Sequence, residues 1–93
     1  METGLGGKVV LVTGGAGGIG QAICRKFAED GAKVAVHFHT SSEEAESLAA
    51  EIGGIAVHAD LRVPSQADEM VAEVVSKMGG IDVCVANSGS YPS

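Results

Sequence analysis

The sequence predicts an α/β fold in which parallel strands alternate with helices in the order βαβαβαβ, with helices on both faces of one sheet. Three observations carry this. Apolar, β-branched runs of strand length recur at residues 8–13, 33–38, 54–59 and 81–86. Between them lie stretches whose apolar residues keep helical spacing. The connections are short, and strand–helix–strand units of this kind close by right-handed crossovers onto parallel strands.

The first strand, KVVLVT, is apolar along most of its length, as expected of a strand buried on both faces. In the first helix Ile19, Ile23 and Phe27 recur every fourth position and form the expected buried face, with Gly31 as its C-terminal stop. The second strand is KVAVHF. Ser41 or Ser42 opens the second helix, and Ser41 with Glu44 has the spacing of a capping box. Ala45, Leu48, Ala49 and Ile52 form its apolar face, and Gly53-Gly54 end it. The third strand, GIAVHA, leads into Asp60. Pro64 suits the first turn of the third helix. Ala67, Val71, Val74, Val75 and Met78 keep helical spacing there, and Met70 and Met78 read as core. The fourth strand is IDVCVA, with Asp82 at a solvated strand end, and the tail NSGSYPS is turn-like.

At 93 residues the chain suits one domain. With two Phe, one Tyr and no Trp, its core is aliphatic. The net charge of −6 and the absence of a basic cluster argue against a nucleic-acid or acidic-membrane partner. No apolar run approaches the ~18 residues of a membrane helix. The start, METGLGGK, carries an early acid and no long apolar run, so no secretory leader is expected. Cys24 and Cys84 fall in a predicted helix and a predicted strand and read as buried thiols in a reducing compartment, the cytoplasm.

One stretch breaks the economy of the rest. VTGGAGGIGQAI, from Val12 to Ile23, concentrates glycines where a strand meets a helix. Each glycine inside regular structure destabilises it by about 1 kcal/mol relative to alanine. A tight turn whose backbone N–H groups approach an anion, backed by a helix N-terminus, explains the concentration. Gly15, Gly17 and Gly20 satisfy G-x-G-x-x-G after a first strand and before a helix, the context in which that motif binds dinucleotide phosphate. The helix also starts bare, with no acid in its first turn.

These residues carry a resemblance. Thr13-Gly14-x-x-x-Gly18-x-Gly20 resembles the cofactor motif of the short-chain dehydrogenase/reductase family. Asp60-Leu61 follows the third strand, where the family's Asp contacts adenine. Ala86-Asn87-Ser88-Gly89 is similar to the family's Asn-Asn-Ala-Gly, departing at Ala86. Gly14, Gly17 and Gly20 also fit T-G-x-x-G-x-x-G, the pattern of the extended branch of epimerases and dehydratases, whereas Asn87-Ser88-Gly89 favours the classical branch. The resemblance implies a Rossmann-type sheet of order 3-2-1-4 over residues 1–93, part of an NAD(P)-binding domain. The implied function is NAD(P)-dependent oxidoreduction of a small alcohol or carbonyl by a homo-oligomeric parent protein. Together with the glycine pattern and the end of the second strand, the expected cofactor residues are Gly14, Gly15, Gly17, Gly18, Ile19, Gly20, His39, Thr40, Ser41, Asp60, Leu61, Asn87, Ser88 and Gly89. A stand-alone nucleotide-binding module without catalysis and an extended-type fragment remain as alternatives.

The choice of cofactor rests on the end of the second strand. NAD-binding relatives carry an acid there that hydrogen-bonds the ribose hydroxyls. Here the stretch is His37-Phe38-His39-Thr40-Ser41-Ser42, with no carboxylate before Glu43. That absence permits the 2′-phosphate of NADP. The hydroxyls of Thr40, Ser41 and Ser42 and a protonated His39 are candidate partners, though no arginine sits in the stretch. NADP is therefore expected, with NAD as the second possibility. His37 and His39 alternate along the strand, as two imidazoles sharing a metal would, but no third ligand is near. His58 reads as a surface or cofactor-rim residue.

The resemblance also implies a Tyr-x-x-x-Lys pair and a Ser for catalysis. Tyr91 is the only tyrosine and has two residues after it, and Ser88, Ser90 and Ser93 come too early. No catalytic residue is assigned, and the chain is expected to be the inactive adenosine-binding part of a longer reductase.

Overall fold

The computed structural model describes residues 6–87. Four strands form one parallel sheet in the order β3-β2-β1-β4: β1 (Val9–Thr13), β2 (Lys33–Phe38), β3 (Ile55–His58) and β4 (Val83–Ala86). Three helices connect them: α1 (Gly18–Glu29), α2 (Ser42–Ile52) and α3 (Pro64–Met78). Every residue of β1 is buried, because it pairs with β2 on one side and β4 on the other and is covered on both faces.

Strand alternation splits the core into two layers. Val10, Val12, Val34 and Val36 point to one face and pack with Cys24 of α1 and with Ala45, Leu48 and Ala49 of α2. Val9, Leu11, Ala35 and Val57 point to the other and pack with Met70 and Val74 of α3. This arrangement corrects two helix faces read from spacing. Ile19 is 74% exposed at the start of α1, and the helix buries Gly20 and Cys24, flanked by Ile23, Phe27 and Ala28. In α3 the sheet takes Met70 and Val74, so Val71 and Val75, one residue round the helix, stand exposed.

The ends behave as local chemistry dictates, with exceptions. α1 closes as the N–H of Gly31 donates to the Ala28 carbonyl and that of Ala32 to the Phe27 carbonyl, the paired bonds of a Schellman motif. Pro64 occupies the first turn of α3, where a missing N–H is harmless. Ser41 does precede α2, but its side chain makes no capping hydrogen bond, so the expected capping box does not form. Asp82 is more than a solvated strand end. Its carboxylate accepts the Val9 N–H at 2.8 Å, and its own N–H donates to the Val9 carbonyl, pinning the entry of β1. Cys84 is exposed on β4, contrary to the expected buried thiol, because β4 pairs only with β1 among the described residues.

Candidate functional site

The carboxyl end of the central strand runs into the glycine loop, and Gly14 is the node of that loop. It has φ +67°, a backbone conformation that other residues adopt only at a cost of about 1 kcal/mol or more. Its N–H donates to Nδ1 of His37 at 2.8 Å. Its carbonyl accepts from the Gly17 N–H at 3.2 Å and from Nδ2 of Asn87 at 3.1 Å. Thr13 ties the same point to β4, donating its hydroxyl to the Val85 carbonyl and accepting the Asn87 N–H.

The glycines divide by what surrounds them. A Cβ on Gly20 would overlap the Gly14 carbonyl oxygen, so the close crossing of helix and loop excludes any side chain there. A Cβ on Gly15 would crowd Cys24 and Val36 from below. At Gly18 nothing lies within 4 Å, and at Gly17 the nearest atom is 3.6 Å away. Folding therefore leaves room for side chains at 17 and 18. Gly17 is the N-cap and offers no side-chain cap; the first turn contains no acid. The first amide to find an intrahelical-type acceptor is that of Gln21, which donates to the Gly17 carbonyl at 2.7 Å. The amides of Gly18, Ile19 and Gly20 thus have no carbonyl one turn behind them to bond, and the positive end of the helix dipole opens outward.

His37 is 3% exposed, and both of its ring nitrogens are used. Nδ1 accepts from Gly14, and Nε2 lies 2.8 Å from the Ala59 carbonyl, which can only accept. The ring is therefore neutral with its proton on Nε2, and burial pushes its pKa below the usual histidine value. His39 is exposed, and its Nε2 stands 3.6 Å from an Asp60 carboxylate oxygen. His58 is exposed too, its ring 5.5 Å from that of Phe38 and 6.0 Å from that of His39.

Asp60 closes the turn after β3. Its carboxylate accepts the Arg62 backbone N–H at 3.0 Å and both Nε and Nη2 of the Arg62 guanidinium at 2.9 Å, while its own N–H donates to Oε1 of Gln66. The guanidinium holds the carboxyl well below the usual carboxylate range. The turn-capping role is thus observed. The Arg62 side chain remains 82% exposed, leaving Nη1 outside the pair with Asp60.

These pieces surround one cavity of about 920 Å³, a volume typical of ligand sites. Of the expected cofactor residues Gly14, Gly17, His39, Thr40, Ser41, Asp60, Leu61 and Asn87 line it. Gly15 and Gly20 are buried behind it, and Gly18 and Ile19 are exposed at the helix start. Ser88 and Gly89 lie outside the described residues, as do Ser90, Tyr91 and Ser93. Two polar lining residues have places in the site that sequence reasoning did not give them. Arg62 supplies the cation that the end of the second strand lacks, and it arrives from the loop after the third. Its signal was the spacing Asp60-x-Arg62, which suits a side chain bonding the N–H two residues on. His37 was visible as the one polar residue inside an apolar strand.

Residues 8–93 match the family model described as short chain dehydrogenase. A short chain dehydrogenase of Claviceps purpurea is 41% identical over 90 residues, covering 91% of this chain and 34% of that protein. A crystal structure of a short chain dehydrogenase from Burkholderia cenocepacia in complex with NADP superposes with a TM-score of 0.84 at 39% identity, over 96% of this chain and 38% of that one. The 3-ketoacyl-(acyl-carrier-protein) reductase of Brucella melitensis, complexed with NADH, gives 0.81 at 36% identity, over 86% and 33%. The chain spans about a third of the length of the curated relatives it matches.

Proposed function

The chain belongs to the short chain dehydrogenase family, and from that premise we propose that it binds the adenosine and diphosphate of NADP, with NAD as second cofactor, for an oxidoreductase acting on a small alcohol or carbonyl compound. One observation carries the reading: the amides of Gly18, Ile19 and Gly20 are left bare at positions where, at Gly18, the fold would accept a side chain. Bare amides and a helix dipole suit the two negative charges of a diphosphate. The cofactor-bound relatives support the same assignment.

Each residue has its task. Gly14 and Gly20 keep the loop against the helix so that the amides converge. Asn87 braces Gly14 from β4. Asp60 and Leu61 take the adenine side, and Asp60 retains a carboxylate oxygen lone pair beyond its Arg62 pairing for the exocyclic amine. Thr40, Ser41, His39 and the free edge of Arg62 take the 2′-phosphate, for which a guanidinium is the strongest partner available in a protein. The nicotinamide, when bound, supplies the hydride chemistry. Nothing in the cavity lining is assigned a role in proton transfer, so the reading for this chain is of cofactor capture and orientation.

The test is Gly18→Glu. An acid in the first turn favours the helix, by about 0.3–1 kcal/mol, so the fold should hold or gain stability. The same charge stands where the diphosphate would bind. NADPH titration followed by cofactor fluorescence should show affinity falling at least about tenfold, with the melting temperature unchanged or raised. Unchanged affinity for both NADPH and NADH refutes the reading.

A further inference from the structure

We propose that His37 is the positioning residue of the glycine loop: its unprotonated Nδ1 holds Gly14, so that a second proton on this ring releases the loop and weakens the grip on the diphosphate. The inference rests on the dinucleotide reading above and adds to it a control by acidity. Gly14 is tied to His37 through Nδ1, and the next amide, Gly15, donates to the His37 backbone carbonyl at 3.0 Å. Two consecutive loop amides therefore hang on one residue of β2. The far side of the ring is fixed by the Ala59 carbonyl, so the imidazole cannot flip to offer its other nitrogen without losing that bond.

A proton on Nδ1 would set two N–H donors face to face at a spacing of 2.8 Å. An unmatched buried donor is strongly unfavourable, so the ring or the loop has to move. The ring is held at Nε2 by the Ala59 carbonyl after β3, so the bond that gives is the one to the loop. Moving Gly14 disturbs the carbonyl that receives Asn87 and Gly17, and with it the convergence of the amides beyond. The ionisable groups facing His37 are few among the described residues. His39 and His58 both disfavour its charging. Asp60, the carboxylate that lines the cavity, is engaged by Arg62. Only the Ala59 carbonyl, which accepts from Nε2, favours the charged ring, and burial outweighs it.

Two measurements decide it. The first needs no ligand. Long-range ¹H–¹⁵N NMR of the His37 ring should show the Nε2–H tautomer near neutral pH, titrating below the ordinary histidine range, and the Gly14 amide signal should move with the same midpoint. An Nδ1–H tautomer, or a ring titrating as free histidine does, overturns the proposal. The second is the pH dependence of NADH affinity, chosen because its diphosphate does not titrate between pH 8 and 5. Affinity of the native protein should fall once the pH drops below the midpoint that the ring NMR gives, steepening toward about tenfold per pH unit. His37→Asn keeps an acceptor for Gly14 in a group that does not titrate; it should bind within about threefold of the native protein at pH 8 and lose the acid-side fall. His58→Asn should keep the fall. A fall that survives in His37→Asn, or an affinity that rises as pH drops, overturns the proposal. Failure of the native protein to bind either dinucleotide at pH 8 sinks the functional reading instead, and the loop-release claim with it, while the ring NMR still reports on the Gly14 bond. If His37→Asn does not fold, the common midpoint of ring and Gly14 amide remains decisive.

Discussion

Gly18 and Gly20 sit two residues apart in the first turn of α1, and the fold needs only one of them. A methyl group on Gly20 meets the Gly14 backbone, which has nowhere to go because Asn87 and Gly17 hold it. Gly20→Ala should therefore lower stability by about 1–3 kcal/mol, the usual range for forced overpacking. Gly18→Ala meets open space and should leave stability level or slightly higher. Paired thermal melts of the two variants check this, and equal losses would contradict the geometry. Arg62 allows an equally local prediction. Arg62→Gln removes a charge-assisted donor from the proposed 2′-phosphate site and also frees the Asp60 carboxylate to repel that phosphate. NADP affinity should drop at least about tenfold while NAD affinity stays level. Parallel titrations with the two cofactors measure it, and an equal loss for both would move Arg62 from specificity to general support of the turn.

Among the elements, α2 shows how the sheet and its helices depend on each other. Leu48 is 2% exposed in the core layer that also holds the valines of β1 and β2. Leu48→Ala should destabilise the protein by about 2–4 kcal/mol, seen as a large drop in the denaturant midpoint. The Arg25–Glu51 ion pair links α1 to α2 more visibly, with contacts of 2.8 and 3.1 Å, yet both side chains are about half exposed. Solvent screens such pairs, so Glu51→Gln should barely move the same midpoint. At this scale the sequence was readable wherever periodicity decided the outcome. Strand order and helix order follow from alternating apolar runs and short connections. In α3 the misread face lies where two neighbours on the helix are equally apolar. Val74 and Val75 differ by one step of rotation, and which of them meets Leu11 and Val57 depends on where the helix docks. Spacing does not contain that information. The site divides in the same way. Loop glycines, Asp60 and Asn87 belong to contiguous patterns and could be found in the chain. His37 and Arg62 act through partners 22–23 residues and one turn away, respectively, and only the folded arrangement gives them a role.

For the whole molecule, the same buried imidazole that holds the loop links stability to acidity. In the unfolded chain His37 takes up a proton near its ordinary value of about 6.5. In the folded protein burial keeps that value lower. Between the two the unfolded state binds more protons, so stability falls as pH drops below about 6.5 and levels off once the folded ring also titrates. Asp60 acts later. Its folded carboxyl, paired with Arg62, stays ionised well below the usual range, so its contribution is present above the ordinary aspartate value and is lost as pH falls further toward the folded value. General charge repulsion works the other way at first, because protonating histidines moves the net charge of −6 toward zero. These effects differ in what removes them. Raising the salt concentration weakens repulsion between exposed charges, whereas the desolvation of a ring that is 3% exposed is little affected. Melting temperatures measured from pH 8 to 5 at low and high salt should therefore decline on the acid side in both, and His37→Asn should flatten that decline in both. A decline that salt abolishes, or that persists undiminished in the variant, would assign the acid sensitivity to surface charge and leave His37 a neutral packing element.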